Sequence, residues 1–301
     1  MARWILYAVL TVFFWGIWGF IPRQLNALAA ARHAEVISAE QQQVISTLGL
    51  LPILLVLAGR RGRLGGSRIK RGCAMALGAG LVGSIGNLLF YHLQNVGQNA
   101  ATVVPFTSLY PLVTVVLAMV LLKEKLNPIQ IAGIGLALVS MYFFNVGREE
   151  PFSSRWLGFA LLPIGCWGIA GLLQKLCTND VSAELSTLCF LGGLLPLSLL
   201  LVLVRPMNWQ MPVNEWVWAV ALGLFLGLGN LTFLAAFAAG GKAAVVTPLA
   251  GLYSLVTVPL AVGWVGDKVS PREWLAIALA LLAVTALALE SAPAPSVPEA
   301  K

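Results

Sequence analysis

Apolar residues recur along this chain in ten stretches, each bounded by charge, Pro or Gly, at 4–22, 38–58, 72–93, 100–122, 128–146, 155–176, 184–204, 214–238, 243–265 and 271–290. Each comes close to the roughly 20 apolar residues that a helix needs to cross a bilayer. The pattern therefore predicts an all-α polytopic membrane protein with ten transmembrane helices. The first stretch is followed by Ala27-Leu28-Ala29, which looks like a signal-peptide cleavage site, but its basic flank is the lone Arg3. A matching segment deep inside the chain makes this stretch a span rather than a leader.

That match belongs to a repeat. Shifting the chain by 143 residues lays Ala100 to Pro128 on Ala243 to Pro271 without a gap, with 14 of 29 positions identical. Pro105 meets Pro248, Tyr110 meets Tyr253, and Thr114 meets Thr257; the same shift pairs Gly86-Asn87 with Gly229-Asn230. A shift of 152 pairs Trp15-Gly16-Ile17 with Trp167-Gly168-Ile169, and Arg23 with Lys175. Matched Pro, Tyr, Asn and Trp do not follow from apolar composition, so the halves are copies: 1–147, 148–290, and a Pro-rich tail, 291–301, expected to be disordered. Five spans per copy is an odd number, so the second copy enters the membrane from the opposite side. Inverted repeats of this kind are a recurrent basis of alternating access.

Composition removes other classes. With 59% hydrophobic and 10% charged residues in 301, the chain cannot clothe a water-facing globule. Its net charge of +7 lacks the basic, aromatic-interleaved stripe of a nucleic-acid binder. Placing both termini in the cytoplasm puts 12 of the 19 Lys and Arg inside, six of them between spans two and three, as the positive-inside bias requires. The expected location is the inner (plasma) membrane. His33 and His92 are the only histidines, and no HExxH motif or mid-membrane carboxylate pair occurs. Enzymatic chemistry, metal and cofactor are therefore not expected. The expected partners are a small-molecule solute and the bilayer, with the protein a monomer or homodimer.

The stretches Phe14-Trp15-Gly16 and Pro105 through Leu122-Lys123-Glu124-Lys125-Leu126 to Gly133 resemble the drug/metabolite transporter superfamily, specifically its ten-span branch of two EamA-type halves. Asp267 stands where that branch usually has Glu after span nine. The resemblance implies a carrier of small organic metabolites, with export or facilitation of amino acids or related compounds as the first expectation. Uptake of sugars or other polar solutes, or a non-transporting partner subunit, are the alternatives.

Candidate solute contacts follow from depth and helical face. Trp15, Tyr110, Trp167 and Tyr253 fall within about 3 Å of the span midpoints at 1.5 Å per residue. Asn87 and Asn230 would leave donors unpaired if they faced lipid, so each either ties two helices or lines a pocket. Asn87, Tyr91, Gln94 and Gln98 share one face of span three and suggest a wet path outward. Pro105 and Pro248 are candidate hinges. Arg23 and Lys175, at the expected ends of spans one and six, are candidate gates, although cations suit helix C-termini in any case. Glu40 and His92 are the only groups near a span that could serve proton coupling, and both fall at its edge.

Overall fold

The computed structural model describes residues 3–60, 64–96, 100–123, 127–145 and 155–289. Gln98, Glu124, Lys125, Glu149 and the tail 291–301 lie outside the described residues. The described chain forms helix one, Arg3–Ala31; two, Ala39–Gly59; three, Ile69–Asn95; four, Ala100–Leu122; and five, Pro128–Asn145. It continues as six, Arg155–Cys177; seven, Ala183–Val204; eight, Val213–Ala238; nine, Ala243–Val265; and ten, Pro271–Ala288. All but five and ten meet the length and hydropathy needed to cross a membrane. Large apolar side chains point outward, with Leu203 82% and Leu55 73% exposed. Water would penalise such a belt, whereas hydrocarbon matches it. The chain is an all-α, multi-pass membrane protein.

Local chemistry repeats between the halves. Ser-Ala-Glu opens both helix two and helix seven, and in each the serine hydroxyl accepts a backbone N–H, from Gln41 at 3.1 Å and from Leu185 at 3.2 Å. Helix two breaks at Leu50 and helix seven at Leu194, each two residues before a proline, Pro52 or Pro196. Helix one departs from expectation. It passes through Pro22 and continues to Ala31 instead of ending near residue 22. The Leu- and Ala-rich run after Pro22 has high helix propensity and outweighs one lost hydrogen bond. Tertiary partners also hold the extension: Asn26 donates to Asn95 Oδ1 at 3.0 Å, and Arg32 grips the fully buried Glu215 carboxylate at 2.6 and 2.9 Å. Arg23 is thus within a helix, not at its end.

The repeats interleave. Helix one packs along eight, three along six, and five along ten. Helix four runs antiparallel to nine: Ala101 at the start of four meets Asp267 just past the end of nine, and Val115 clusters with Ala244 at the start of nine. Corresponding helices of opposite direction are the signature of inversion. The glycines keep the same symmetry. A Cβ on Gly223 of helix eight would lie 1.8 Å from Ser46 O of helix two, and one on Gly80 of helix three 2.0 Å from Phe190 O of helix seven. Backbone lies against backbone at both places, the close approach that small residues permit in membranes. The loops are clasped as well. Ser182 N–H donates to Gly65 O at 2.8 Å at one end, and at the other the Gln41 carboxamide pairs with the main chain of Asn208.

Candidate functional site

Helices four and nine are each broken in mid-course. Four divides into Ala100–Thr107 and Pro111–Leu122, and nine into Ala243–Gly251 and Ser254–Leu260, the latter running into a π-turn, Ala261–Val265. The chain tightens to i→i−3 bonds there, Tyr110 N–H to Thr107 O at 3.1 Å and Tyr253 N–H to Ala250 O at 3.2 Å. Helix nine has Ser254 where helix four has Pro111, so proline at that position is not required for the break. Pro105 and Pro248 sit inside the upstream pieces. The breaks touch: a Cβ on Gly251 would meet Pro111 Cγ at 2.9 Å and Ser108 O at 3.0 Å. Two helices crossing this closely bring Tyr110 and Tyr253 to the centre of the bundle.

A cavity of about 50 Å³ lies beside them. Trp15, Asn87, Tyr110, Trp167, Asn230 and Tyr253 all line it. Residues that the sequence reading missed complete the wall: Trp18, Gly83, Ala170, Gln174, Phe190, Leu226 and Phe233. Most of these were within reach of periodicity. Trp18 is i+3 from Trp15, Ala170 and Gln174 are i+3 and i+7 from Trp167, and Phe233 is i+3 from Asn230, so each shares a face with a named candidate. Phe190, on helix seven, had no such neighbour to mark it.

The rings meet edge to face. Trp15 lies 6.4 Å from Tyr253 at 80°, and Tyr110 lies 6.0 Å from Trp167 at 86°. Such pairs add to the area they bury. Trp167 is seated against Gly86 and Trp15 against Gly229, where a Cβ would fall 2.6 and 2.2 Å from the indoles. Thr257 donates to Gly16 O at 2.6 Å, and Thr114 donates to Gly168 O at 2.9 Å. These mirrored bonds tie each broken helix to the helix that carries a tryptophan.

Two candidates lie elsewhere. Tyr91 is fully buried and its hydroxyl accepts the Trp18 indole N–H at 3.0 Å, while Gln94 donates to Gly19 O at 3.2 Å. Beyond Asn87 the face they share packs on helix one, and Tyr91 and Gln94 are not part of the cavity wall. Arg23 pairs with Asp267 at 2.6 Å, and Lys175, in the last turn of helix six, donates to Gly241 O at 2.9 Å. Asp267 also accepts the Ala101 N–H at 3.3 Å. Glu40 faces Arg205 at 3.9 Å, and His92 lies against Phe159. Among the described residues no cluster of His, Cys, Asp or Glu could hold a metal.

A model of the EamA-like transporter family matches residues 2–146 and again residues 154–289. The chain belongs to that family. It is a membrane transporter of small solutes within the drug/metabolite transporter superfamily, not a member of an enzyme family. A protein of known crystal structure is similar to it with a TM-score of 0.64 and 18% identity, over 93% of this chain and 94% of its own. At that identity the likeness shows the fold alone. No curated protein matches the chain. In transporters built from inverted repeats, solute sites generally lie near the bilayer midplane at the interface of the repeats.

Proposed function

We propose that this EamA-like transporter carries small organic metabolites by alternating access, holding the solute in the aromatic cavity between the breaks of helices four and nine. The observation that carries this reading is the mirrored lining, in which Trp15 and Trp167, Asn87 and Asn230, and Tyr110 and Tyr253 converge from both repeats on one space. At about 10–15 Å³ per water, a space of about 50 Å³ holds only a few waters. The space is smaller than a metabolite as it stands, so the halves must move for a solute to be held there. A crevice of about 480 Å³, lined by Tyr7, Ile53, Leu57, Arg60 and Glu184 among others, lies toward the start of helix one. Ile53, in the crevice wall, packs with Leu50 on Gly227, next to the cavity-lining Leu226. We take this as the inner route, with Pro105 and Pro248 flexing the broken helices. Arg23 with Asp267 closes the outer side, and Lys175 on Gly241 O the inner side. Amino acids or related compounds leaving the cell are the first class to test, and inward movement of sugars the second.

Tyr110→Ala, Tyr253→Ala and Asn87→Ala should each lower proteoliposome counterflow of a transported metabolite by about tenfold or more, while monodisperse protein falls less than about twofold. Equal losses in both measurements would make these side chains packing residues only.

Orientation has its own test. With both termini cytoplasmic, a cysteine replacing Gly65, in a background without the four native cysteines, should resist an impermeant thiol reagent in intact cells, and one replacing Glu149 should react. The opposite pattern would place the termini outside.

A further inference from the structure

We propose that the cavity selects a solute with no ionised group inside it: a flat, uncharged molecule held between the rings, whose one hydrogen-bond acceptor is taken by the Trp15 indole N–H and the Tyr253 hydroxyl. This rests on the reading of the cavity as the solute site, and among the metabolites proposed above it points away from the zwitterionic amino acids themselves and toward their uncharged relatives.

Charge is the first argument. None of the lining residues is Asp, Glu, Lys, Arg or His. The cations flanking the site are engaged, Arg23 by Asp267 and Lys175 by the Gly241 carbonyl. An ion drawn into this space would lose its water and gain no counter-charge, which is costly in a low-dielectric interior.

The second argument is a break in the symmetry. Trp167 gives its indole N–H to Asn87 Oδ1 at 3.0 Å. The mirror bond, Trp15 to Asn230, is not made, and Asn230 Oδ1 accepts instead from Gln174 at 3.0 Å. Under the shift that matches Trp15 to Trp167, Gln174 falls on Pro22, which has no side-chain donor to play that part in the first half. The Trp15 N–H is therefore buried without a partner among the described residues, and so is the Tyr253 hydroxyl, 1% exposed and in the same wall. Thr107 lies near that phenol and gives its own hydrogen to the Val103 and Val104 carbonyls, but it makes no hydrogen bond to the phenol by distance and angle. Indole N–H is a donor only. Two buried donors without a protein partner in one wall are matched by a carbonyl or ether oxygen of the solute, which takes the place of any water there. They also decide between the ligands that aromatic rings accept: a cation would suit the ring faces but would meet the positive end of the Trp15 N–H dipole. Gln174 acts as a positioning residue, since it keeps Asn230 from taking the donor that the solute needs.

The test uses three probes of one shape, benzamide, benzoate and benzylamine, titrated into the purified full-length transporter by calorimetry. Benzamide should bind at least about tenfold tighter than either ion. Trp15→Phe, which keeps a ring and removes the N–H, should weaken benzamide about tenfold. Gln174→Leu, which frees Asn230 for Trp15, should weaken it similarly and leave the binding of toluene unchanged, which a merely structural loss would not do. Gly83→Leu, whose new Cβ meets Phe190 at an ordinary 3.4 Å, fills the cavity; Ala170→Phe is the second filling variant. Benzoate or benzylamine binding as tightly as benzamide, and lost on filling, would overturn the charge inference while the cavity stands as the solute site. Benzamide binding that survives both filling variants in monodisperse protein would overturn the site itself. No binding of any probe to the folded protein would overturn the proposal.

Discussion

Arg23→Ala should destabilise the folded transporter more than Asp267→Asn does, and the double variant should be less damaged than Arg23→Ala alone. The asymmetry follows from burial. The Asp267 side chain is fully buried, whereas Arg23 keeps 30% exposure. Removing the guanidinium leaves a buried carboxylate whose remaining side-chain hydrogen bond among the described residues is the Ala101 N–H at 3.3 Å, and uncompensated buried charges cost about 3–5 kcal/mol. The lower end applies here because the pair retains some contact with solvent. With about 2–4 °C per kcal/mol for a chain of this size, the midpoint should fall by about 10 °C. Asp267→Asn removes the charge and leaves Arg23 its route to solvent, so a few degrees is expected. Thermal unfolding of the four proteins in one detergent forms a double-mutant cycle. Equal single effects that add in the double variant would show that the pair contributes nothing as a pair. Loss of transport in Asp267→Asn at unchanged stability would in turn support its role in closing the outer side.

Replacing Gly223 or Gly80 with leucine should all but abolish folded protein, and alanine should suffice for most of the loss. At these positions a Cβ would lie 1.8 and 2.0 Å from a backbone oxygen of the neighbouring helix. A side chain can swing aside, but a helix backbone cannot without moving its whole span. Overpacking of ordinary cores costs about 1–3 kcal/mol and more where nothing can give. Monodisperse yield should drop by about tenfold or more, as read by size-exclusion chromatography. Gly78, where a Cβ would meet nothing within 4 Å, is the control, and Gly78→Leu should behave as the parent. A comparable drop for Gly78→Leu would mean that helix propensity or insertion, not helix–helix contact, sets the requirement for glycine.

The sequence by itself determined the helices, their number and their duplication. Lipid demands apolar runs of nearly constant length, so composition along the chain reads as topology, and an odd number of spans per copy makes the repeat inverted. It also named six residues that meet at the cavity, because depth in the membrane and helical face are both one-dimensional properties. The tertiary structure decided which face meets which. Helix one continues through Pro22 because Asn26 and Arg32 find partners on helices three and eight. Arg23 and Asp267 are 244 positions apart, and nothing along the chain announces their contact. Tyr91 and Gln94 share a face with Asn87, yet only Asn87 reaches the cavity, while Tyr91 and Gln94 bond to Trp18 and Gly19 of helix one. Gln174 and Pro22 look like an incidental mismatch between two copies until the fold sets Gln174 against Asn230 and leaves Trp15 without a partner. Periodicity gives each helix a direction for its side chains. The partner that waits in that direction depends on how ten helices pack at once, and hydrogen bonds reaching only about 3 Å cannot be drawn until that packing is known.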